Sequence, residues 1–443
     1  MANMLERAVP RYTSYPTAPN FNAAVNADVF GSWLAGLPGE AALSLYLHVP
    51  FCRELCHYCG CHTKATLRDE PIIAYARRLA EEVALVASRT GRRKVTHIHW
   101  GGGTPSILDT RQLQLIADKL AHHFDLSAIR EHAIELDPRY VTQELATALR
   151  DIGVNRASLG VQDFSEHVQQ AAGRIQPFDT VRKAVDTLND FDIKRINIDL
   201  MYGLPKQTVA DVRRTARLAH SLQPQRVAVF GYAHVPWFRP QQRLIADADL
   251  PSSPERLAQA EAAHETLVQF GYRAVGLDHY ARPDDQLVAK SGRLQRNFQG
   301  YTDDDADALV GLGASAISRL PQGFAQNVPA VGNYSRAIAD GKLATAKGIE
   351  LSDDDRLRGH IIERLMCDMA VDLDAVADEA GLNVDTDFAD EIEALQPFQD
   401  NGSVLIDGRR IRITESGRPY MRLVASVFDT YLAQAKSRHS MAV

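Results

Sequence analysis

Four of the five cysteines, Cys52, Cys56, Cys59 and Cys61, fall within ten residues of a 443-residue chain, in the stretch Pro50-Phe51-Cys52-Arg53-Glu54-Leu55-Cys56-His57-Tyr58-Cys59-Gly60-Cys61; Cys367 stands alone far downstream. Neighbours this close would close only very small loops, so the group does not read as a disulfide framework. Three thiolates spaced C-x3-C-x2-C can instead wrap one inorganic iron–sulfur cluster. Such clusters ordinarily take four cysteine ligands, so three leave one iron open to a small molecule. Structural zinc wants four closed donors, usually as two separated pairs. No second pair with ligand spacing follows, and Cys61 or His62 as a fourth donor would crowd every ligand into one turn.

Further polar groups punctuate apolar runs. Gly101-Gly102-Gly103-Thr104-Pro105 follows a strand-like stretch and lets the backbone approach a ligand closely. Glu135 closes an apolar run, where a charge needs a partner such as a neighbouring arginine. Gln162 and Asp199 end two more apolar runs. His97 and His99 share a strand face without a third ligand, and His122-His123 ends a helix; all four read as structural. Gly311-Leu312-Gly313-Ala314-Ser315-Ala316 fits G-x-G-x-x-A. It follows an acidic loop and no predicted strand, so it reads as close helix packing rather than a dinucleotide site.

The elements that must position these groups alternate. Strand-like runs cover 43–49, 95–100, 133–136, 157–161, 196–202 and 227–232, with helical patterns over 72–88, 110–124, 143–152, 180–191 and 209–222 between them. Repeated βα units require a parallel sheet with right-handed crossovers. The expected fold class is α/β, a partial (β/α)6 TIM-type barrel over about 36–340 including its extension, with chemistry at the C-terminal strand ends. Residues 1–35 form an aromatic-rich arm able to fold over a pocket. Residues 341–443 carry charged helices, a hairpin around Asp407-Gly408 and a closing helix over 417–434, a mostly helical, winged-helix-like domain read as a lid.

An apolar share of 45%, a charged share of 24% and a net charge of −7 describe an ordinary globular chain with no basic footprint for nucleic acid. No run of eighteen apolar residues suggests a membrane span, and the N-terminus has no hydrophobic signal core. The expectation is a cytoplasmic monomer.

The cysteine motif after the strand Leu43–Val49 resembles the signature of radical S-adenosylmethionine (SAM) enzymes. Cys61, giving C-x3-C-x2-C-x-C, and the segment Pro10-Arg11-Tyr12-Thr13-Ser14-Tyr15-Pro16-Thr17-Ala18 resemble one branch, the oxygen-independent coproporphyrinogen III oxidases of haem biosynthesis. The resemblance implies a 4Fe–4S cluster on Cys52, Cys56 and Cys59, with its fourth iron open to SAM. It places Tyr46, Gly102, Glu135, Ala233 and Ile317 at a first SAM. Tyr58, Gly103, Thr104, Gln162, Arg174 and Asp199 would meet a second. Cys61 is then a catalytic residue and not a ligand.

The implied reaction removes carbon dioxide from two propionates of coproporphyrinogen III, leaving the vinyl groups of protoporphyrinogen IX. It uses a SAM-derived radical and an external one-electron donor such as flavodoxin or ferredoxin. A substrate with four carboxylates calls for pocket arginines, and Arg11, Arg174, Arg243 and Arg296 are the candidates. The alternatives are a related haem chaperone, against which Cys61 and Tyr12–Pro16 count, and a radical SAM methyltransferase or haem-modifying relative.

Overall fold

The computed structural model describes residues 7–381 and 383–432. After helix α1 (Ala27–Ala35), strands β1 (Leu43–Val49), β2 (Val95–Gly102), β3 (Glu131–Leu136), β4 (Arg156–Gln162), β5 (Arg195–Tyr202) and β6 (Arg226–Gly231) alternate with helices. Those helices are α2 (Glu70–Thr90), α3 (Thr110–His123), α4 (Gln143–Asp151), α5 (Glu166–Ala172), α6 (Phe178–Asp190) and α7 (Val209–Ser221). Capping boxes start two of them, Asp109 with Gln112 at α3 and Thr208 with Asp211 at α7, each satisfying backbone donors that a helix start leaves open. In β1 one face, Leu43, Leu45, Leu47 and Val49, is buried in the apolar core, while the alternating face carries Ser44, Tyr46 and His48.

Beyond β6 come α8 (Ser253–Gln269) and the short antiparallel strands β7 (Arg273–Val275) and β8 (His279–Ala281). The far edge is built by β9 (Ala308–Leu312), β10 (Ile317–Leu320), β11 (Gly323–Asn327) and β12 (Thr345–Glu350). One 12-stranded sheet results, in the order β12-β11-β10-β9-β1-β2-β3-β4-β5-β6-β8-β7, so the barrel is open. The parallel run has a seventh member: β9 pairs in parallel with β1, Tyr46 opposite Gly311.

This corrects the reading of the Gly311–Ala316 stretch. It is a strand end and a turn, not helix packing; two glycines and a short apolar core hide the strand from propensity. Glu82 of α2 holds the turn, accepting hydrogen bonds from Gly313 N–H (2.6 Å), Asn327 (2.7 Å) and the Tyr334 hydroxyl (2.7 Å).

The barrel interior is not filled by apolar layers alone. At the N-terminal strand ends Arg156 meets Glu131 at 2.7 Å, Arg226 meets Asp285 at 2.9 Å, and His97 meets Asp304 at 2.9 Å. Burial alone would raise Glu131, but Arg156 and Arg226 outweigh it and hold its carboxyl down at about 2.

A second hydrophobic core lies in the C-terminal part, around helix α9 (Asp353–Asp368) and a three-stranded antiparallel sheet of Ala370–Asp372, Arg410–Ile413 and Val404–Asp407. The N-terminal arm contributes Val9, Tyr12 and Tyr15 to that core rather than to the barrel. The Tyr12 hydroxyl donates to Asp429 at 3.0 Å. The helix expected over 387–398 is broken into Ala389–Ala394 and Gln396–Asp400, because Pro397 has no N–H to donate to the carbonyl of Glu393 and is tolerated only in the first turn of a new helix. The expected closing helix is a 3-10 turn followed by Met421–Ser426, and its predicted end at Gln434 lies outside the described residues.

Candidate active site

A cavity of about 690 Å³ opens at the C-terminal ends of the parallel strands and runs into the barrel. It is lined by Cys52, Cys56, Cys59 and Cys61 together with Tyr58, Gly102, Gly103, Thr104, Glu135, Gln162, Arg174, Asp199 and Ala233. Thirteen of the fifteen site residues expected from sequence therefore share one space. The other two do not line it. Tyr46 lies behind, its hydroxyl 2.9 Å from His48 Nδ1 and its ring stacked 6.0 Å from His99. Ile317 borders a neighbouring cavity of about 330 Å³ beneath the arm.

The cysteine loop has little regular structure, so side chains from elsewhere must hold it. Gln242 donates to the carbonyls of Tyr58 (2.9 Å) and Ala233 (3.1 Å). Gln241 donates to Cys59 O at 2.7 Å and Arg239 to Gly60 O at 2.9 Å. On the other side His57 N–H donates to Ala172 O at the end of α5 (3.0 Å). Sequence reasoning missed this grip from the segment after β6; the only signal was its run of Arg and Gln after the last parallel strand. Arg243, named as a substrate-binding candidate in that segment, is exposed and outside the cavity.

The thiols are individually provisioned. Cys52 Sγ has the Thr63 hydroxyl at 3.2 Å and accepts from the Thr104 hydroxyl at 3.4 Å, while Arg174 donates to Cys56 Sγ at 3.5 Å. A hydrogen bond from Cys61 is the main cause that pulls the Cys59 thiol down to about 7 against its burial. Among the described residues no three His, Cys, Asp or Glu side chains converge tightly enough to hold a single metal ion. The three thiols of Cys52, Cys56 and Cys59 line one shared space, and thiolates are the donors that an iron–sulfur cluster takes.

The strand ends supply oriented polar groups. Gly102 adopts φ +111°, and a side chain there would run into the His48 ring; one at Gly103 would strike Thr63 and the Phe51 carbonyl. The Gly102 N–H donates to Glu135 Oε2 at 3.2 Å, and His99 Nε2 lies 3.1 Å from Oε1. Glu135 thus finds a histidine and a backbone amide where an arginine had been the simple expectation. Gln162 has φ +70° at a register shift in the β4–β5 pairing, a bulge that re-aims its side chain into the cavity. Asp199 accepts from the Ser158 hydroxyl (2.8 Å) and Asn197 Nδ2 (2.9 Å), and burial pushes its carboxyl up to about 6.

Arg174 is fully engaged, with Gly160 O at 2.8 Å, Gln176 Oε1 at 3.2 Å and Asp137 at 3.2 Å. Arg11 reaches the mouth from the arm and donates to Gly231 O at 2.8 Å. Arg296 is buried beside Asp278 (3.4 Å) and stacks over Tyr301 at 4.4 Å. His97 and His99, taken as structural, form part of the cavity wall.

The Radical SAM superfamily matches residues 46–219, and the HemN C-terminal domain matches residues 351–420. The oxygen-independent coproporphyrinogen III oxidase of Bradyrhizobium diazoefficiens is 47% identical over 441 residues, covering 99% of this chain and 98% of that protein. The enzyme of the same name from Salmonella typhimurium is 38% identical over 96% of this chain and 93% of its own length. The solved structure of coproporphyrinogen III oxidase (HemN) from Escherichia coli, described as a radical SAM enzyme, superposes with a TM-score of 0.90 at 36% identity. It covers 96% of this chain and all of that one.

Proposed function

Because this chain belongs to the family of oxygen-independent coproporphyrinogen III oxidases, we propose that it converts two propionate side chains of coproporphyrinogen III to vinyl groups, giving protoporphyrinogen IX. The observation that carries the reading is three cysteine thiols facing one cavity at the strand ends of an open parallel barrel. Its donors fit a cluster with an open iron, and its oriented carboxylates fit hydroxyl-rich ligands such as a nucleoside.

Cys52, Cys56 and Cys59 would hold the 4Fe–4S cluster. Bound there with SAM, it would supply one-electron radical chemistry directed at the propionate β-carbon. Gly102, Glu135 and Ala233 line the wall where a first SAM would lie. Tyr58, Gly103, Thr104, Gln162, Arg174 and Asp199 line the same cavity and would meet a second SAM. His99 and the Gly102 N–H fix the Glu135 carboxylate as an acceptor, and Ser158 and Asn197 do the same for Asp199. Cys61 lines the same cavity two residues after Cys59, and in this reading it would act on substrate without being a ligand. Arg11 brings the arm to the wall of this cavity, where it would help to exclude water from a reaction that radical side chemistry would spoil.

We read the chain as a cytoplasmic monomer served by an external one-electron donor such as flavodoxin or ferredoxin. No helix among the described residues is long and apolar enough to cross a membrane.

The test is anaerobic: the reconstituted protein receives SAM, dithionite and coproporphyrinogen III, with and without cell extract as electron acceptor. Protoporphyrinogen IX formed with methionine and 5′-deoxyadenosine is the expected result. SAM cleavage without decarboxylation would point to another radical SAM substrate. Tight haem binding with neither reaction would replace the oxidase by the chaperone.

A further inference from the structure

A smaller cavity of about 230 Å³ lies where the barrel, the arm and the C-terminal part meet, sharing Arg11, Gly231 and Tyr232 with the wall of the main one. No cysteine borders it, and none of the β2 glycines does. Its walls carry guanidiniums from four separate stretches of chain: Arg11 of the arm, Arg256 of α8, Arg296 of the 295–302 hairpin, and Arg418 and Arg422 near the C-terminus. Arg418 pairs with the exposed Glu415 at 2.9 Å and stands apart from the rest. The other four face a cavity whose single buried carboxylate is Asp278; Glu261, Glu265 and Glu415 lie at its exposed rim.

Arg256, Arg296 and Arg422 are buried and Arg11 is exposed; bringing the three buried guanidiniums together out of water is unfavourable unless an anion joins them. Arg422 is pushed down to about 9 by burial first and by neighbouring Arg11 second. Arg296 is only 8% exposed, and its Nε and Nη1 have no hydrogen-bond partner. A buried donor left unmade costs the desolvation of that group, and a carboxylate is the partner that recovers most of it. Apolar surface from Tyr202, Val229, Tyr232 and Leu277 would suit the methylenes leading to such a carboxylate.

We propose that this cavity is an anion subsite for a propionate that the reaction leaves intact, with Arg11 and Arg296 as its donors inside a field set by Arg256 and Arg422. The inference rests on the porphyrinogen reading above. A propionate undergoing reaction must reach the cysteine side, whereas one lodged here lies beyond Arg11, Gly231 and Tyr232, which line both cavities, and away from the thiols. The two cavities would thereby hold opposite edges of one macrocycle and decide which side chains are presented for reaction.

The test uses the reconstituted holoprotein and two stable probes, coproporphyrin III and its tetramethyl ester, in fluorescence titrations. The wild type should bind the tetra-acid about tenfold or more tightly than the ester. Arg11→Gln and Arg296→Gln should each weaken acid binding by about tenfold, the loss of one charge-assisted contact, with ester affinity and cluster absorbance unchanged. Should Arg296→Gln fail to fold beside Asp278, Arg11→Gln, on the solvent-accessible arm, decides alone. Acid binding equal to wild type in Arg11→Gln, or a parallel fall for acid and ester, would overturn the subsite. The turnover assay is read separately: arginine-dependent acid binding without decarboxylation keeps the subsite and removes the catalytic reading.

Discussion

The two ends of the candidate site are built on opposite plans. The sulfur end is contiguous: ten residues on an irregular loop, with the ligand spacing written directly into the chain and its backbone gripped from outside by Arg239, Gln241 and Gln242. The arginine end is dispersed, its guanidiniums arriving from positions 11, 256, 296 and 422 and meeting only in the folded state. Ligands of one small inorganic body need fixed mutual distances, which a short loop supplies most directly. The periphery of a large substrate can be met by side chains from any element that reaches it.

That contrast can be broken at either end. The largest effect belongs to Cys56→Ala, which should leave no cluster absorption after reconstitution and no detectable turnover. Cys61→Ser should keep the cluster spectrum and lose turnover by about a hundredfold or more, within the range seen for groups that act directly on a reacting centre; unchanged activity would remove Cys61 from the chemistry. At the other end, Asp278→Asn strips the buried carboxylate from Arg296 and should destabilise the protein by about 3 kcal/mol in denaturant unfolding, with the cluster spectrum per folded molecule unchanged.

Behind β1, Glu82 gives a pH signature that neither end should share. Burial raises its carboxyl to about 7 from an ordinary 4.5. Its contribution to stability is therefore full below about pH 4.5 and is lost as pH rises through about 7. Glu82→Gln should flatten the stability profile of the apoprotein between pH 5 and 8 by about 3 kcal/mol, measured by unfolding at a series of pH values. The smallest effect is expected of Gln242→Ala, which deprives two carbonyls of their donor at about 1 kcal/mol each. It should shorten the lifetime of the reconstituted cluster in air without abolishing turnover.

The barrel was legible because its strands alternate with helices at regular intervals and end on polar residues that an apolar run does not explain. Glu135, Gln162 and Asp199 were found this way, and each lies in the cavity. The seventh parallel strand was not, because Leu309-Val310-Gly311-Leu312 is short, carries a glycine and follows four acidic residues, so local propensity opposed the pairing that β1 imposes. Arg243 looked as eligible as Arg11 in the sequence. Only the 3-10 turn over Pro240–Leu244, which buries Gln242 and turns Arg243 outward, separates them. Arg256 and Arg422 gave no signal at all, since nothing in a linear reading connects α8 to the C-terminal segment.

The arm's insertion into the second core ties the two ends of the chain into one unit: Tyr12 bonds to Asp429, Tyr15 to Thr430, and Arg422 to the Pro10 carbonyl at 3.0 Å. Residues 9–15 therefore wait for residues 422–430, made some four hundred positions later, before they have a place to go. A nascent chain can therefore build its barrel and present its cysteines before the arm has its partners, so that Arg11 settles at the cavity wall only once the C-terminal core has formed.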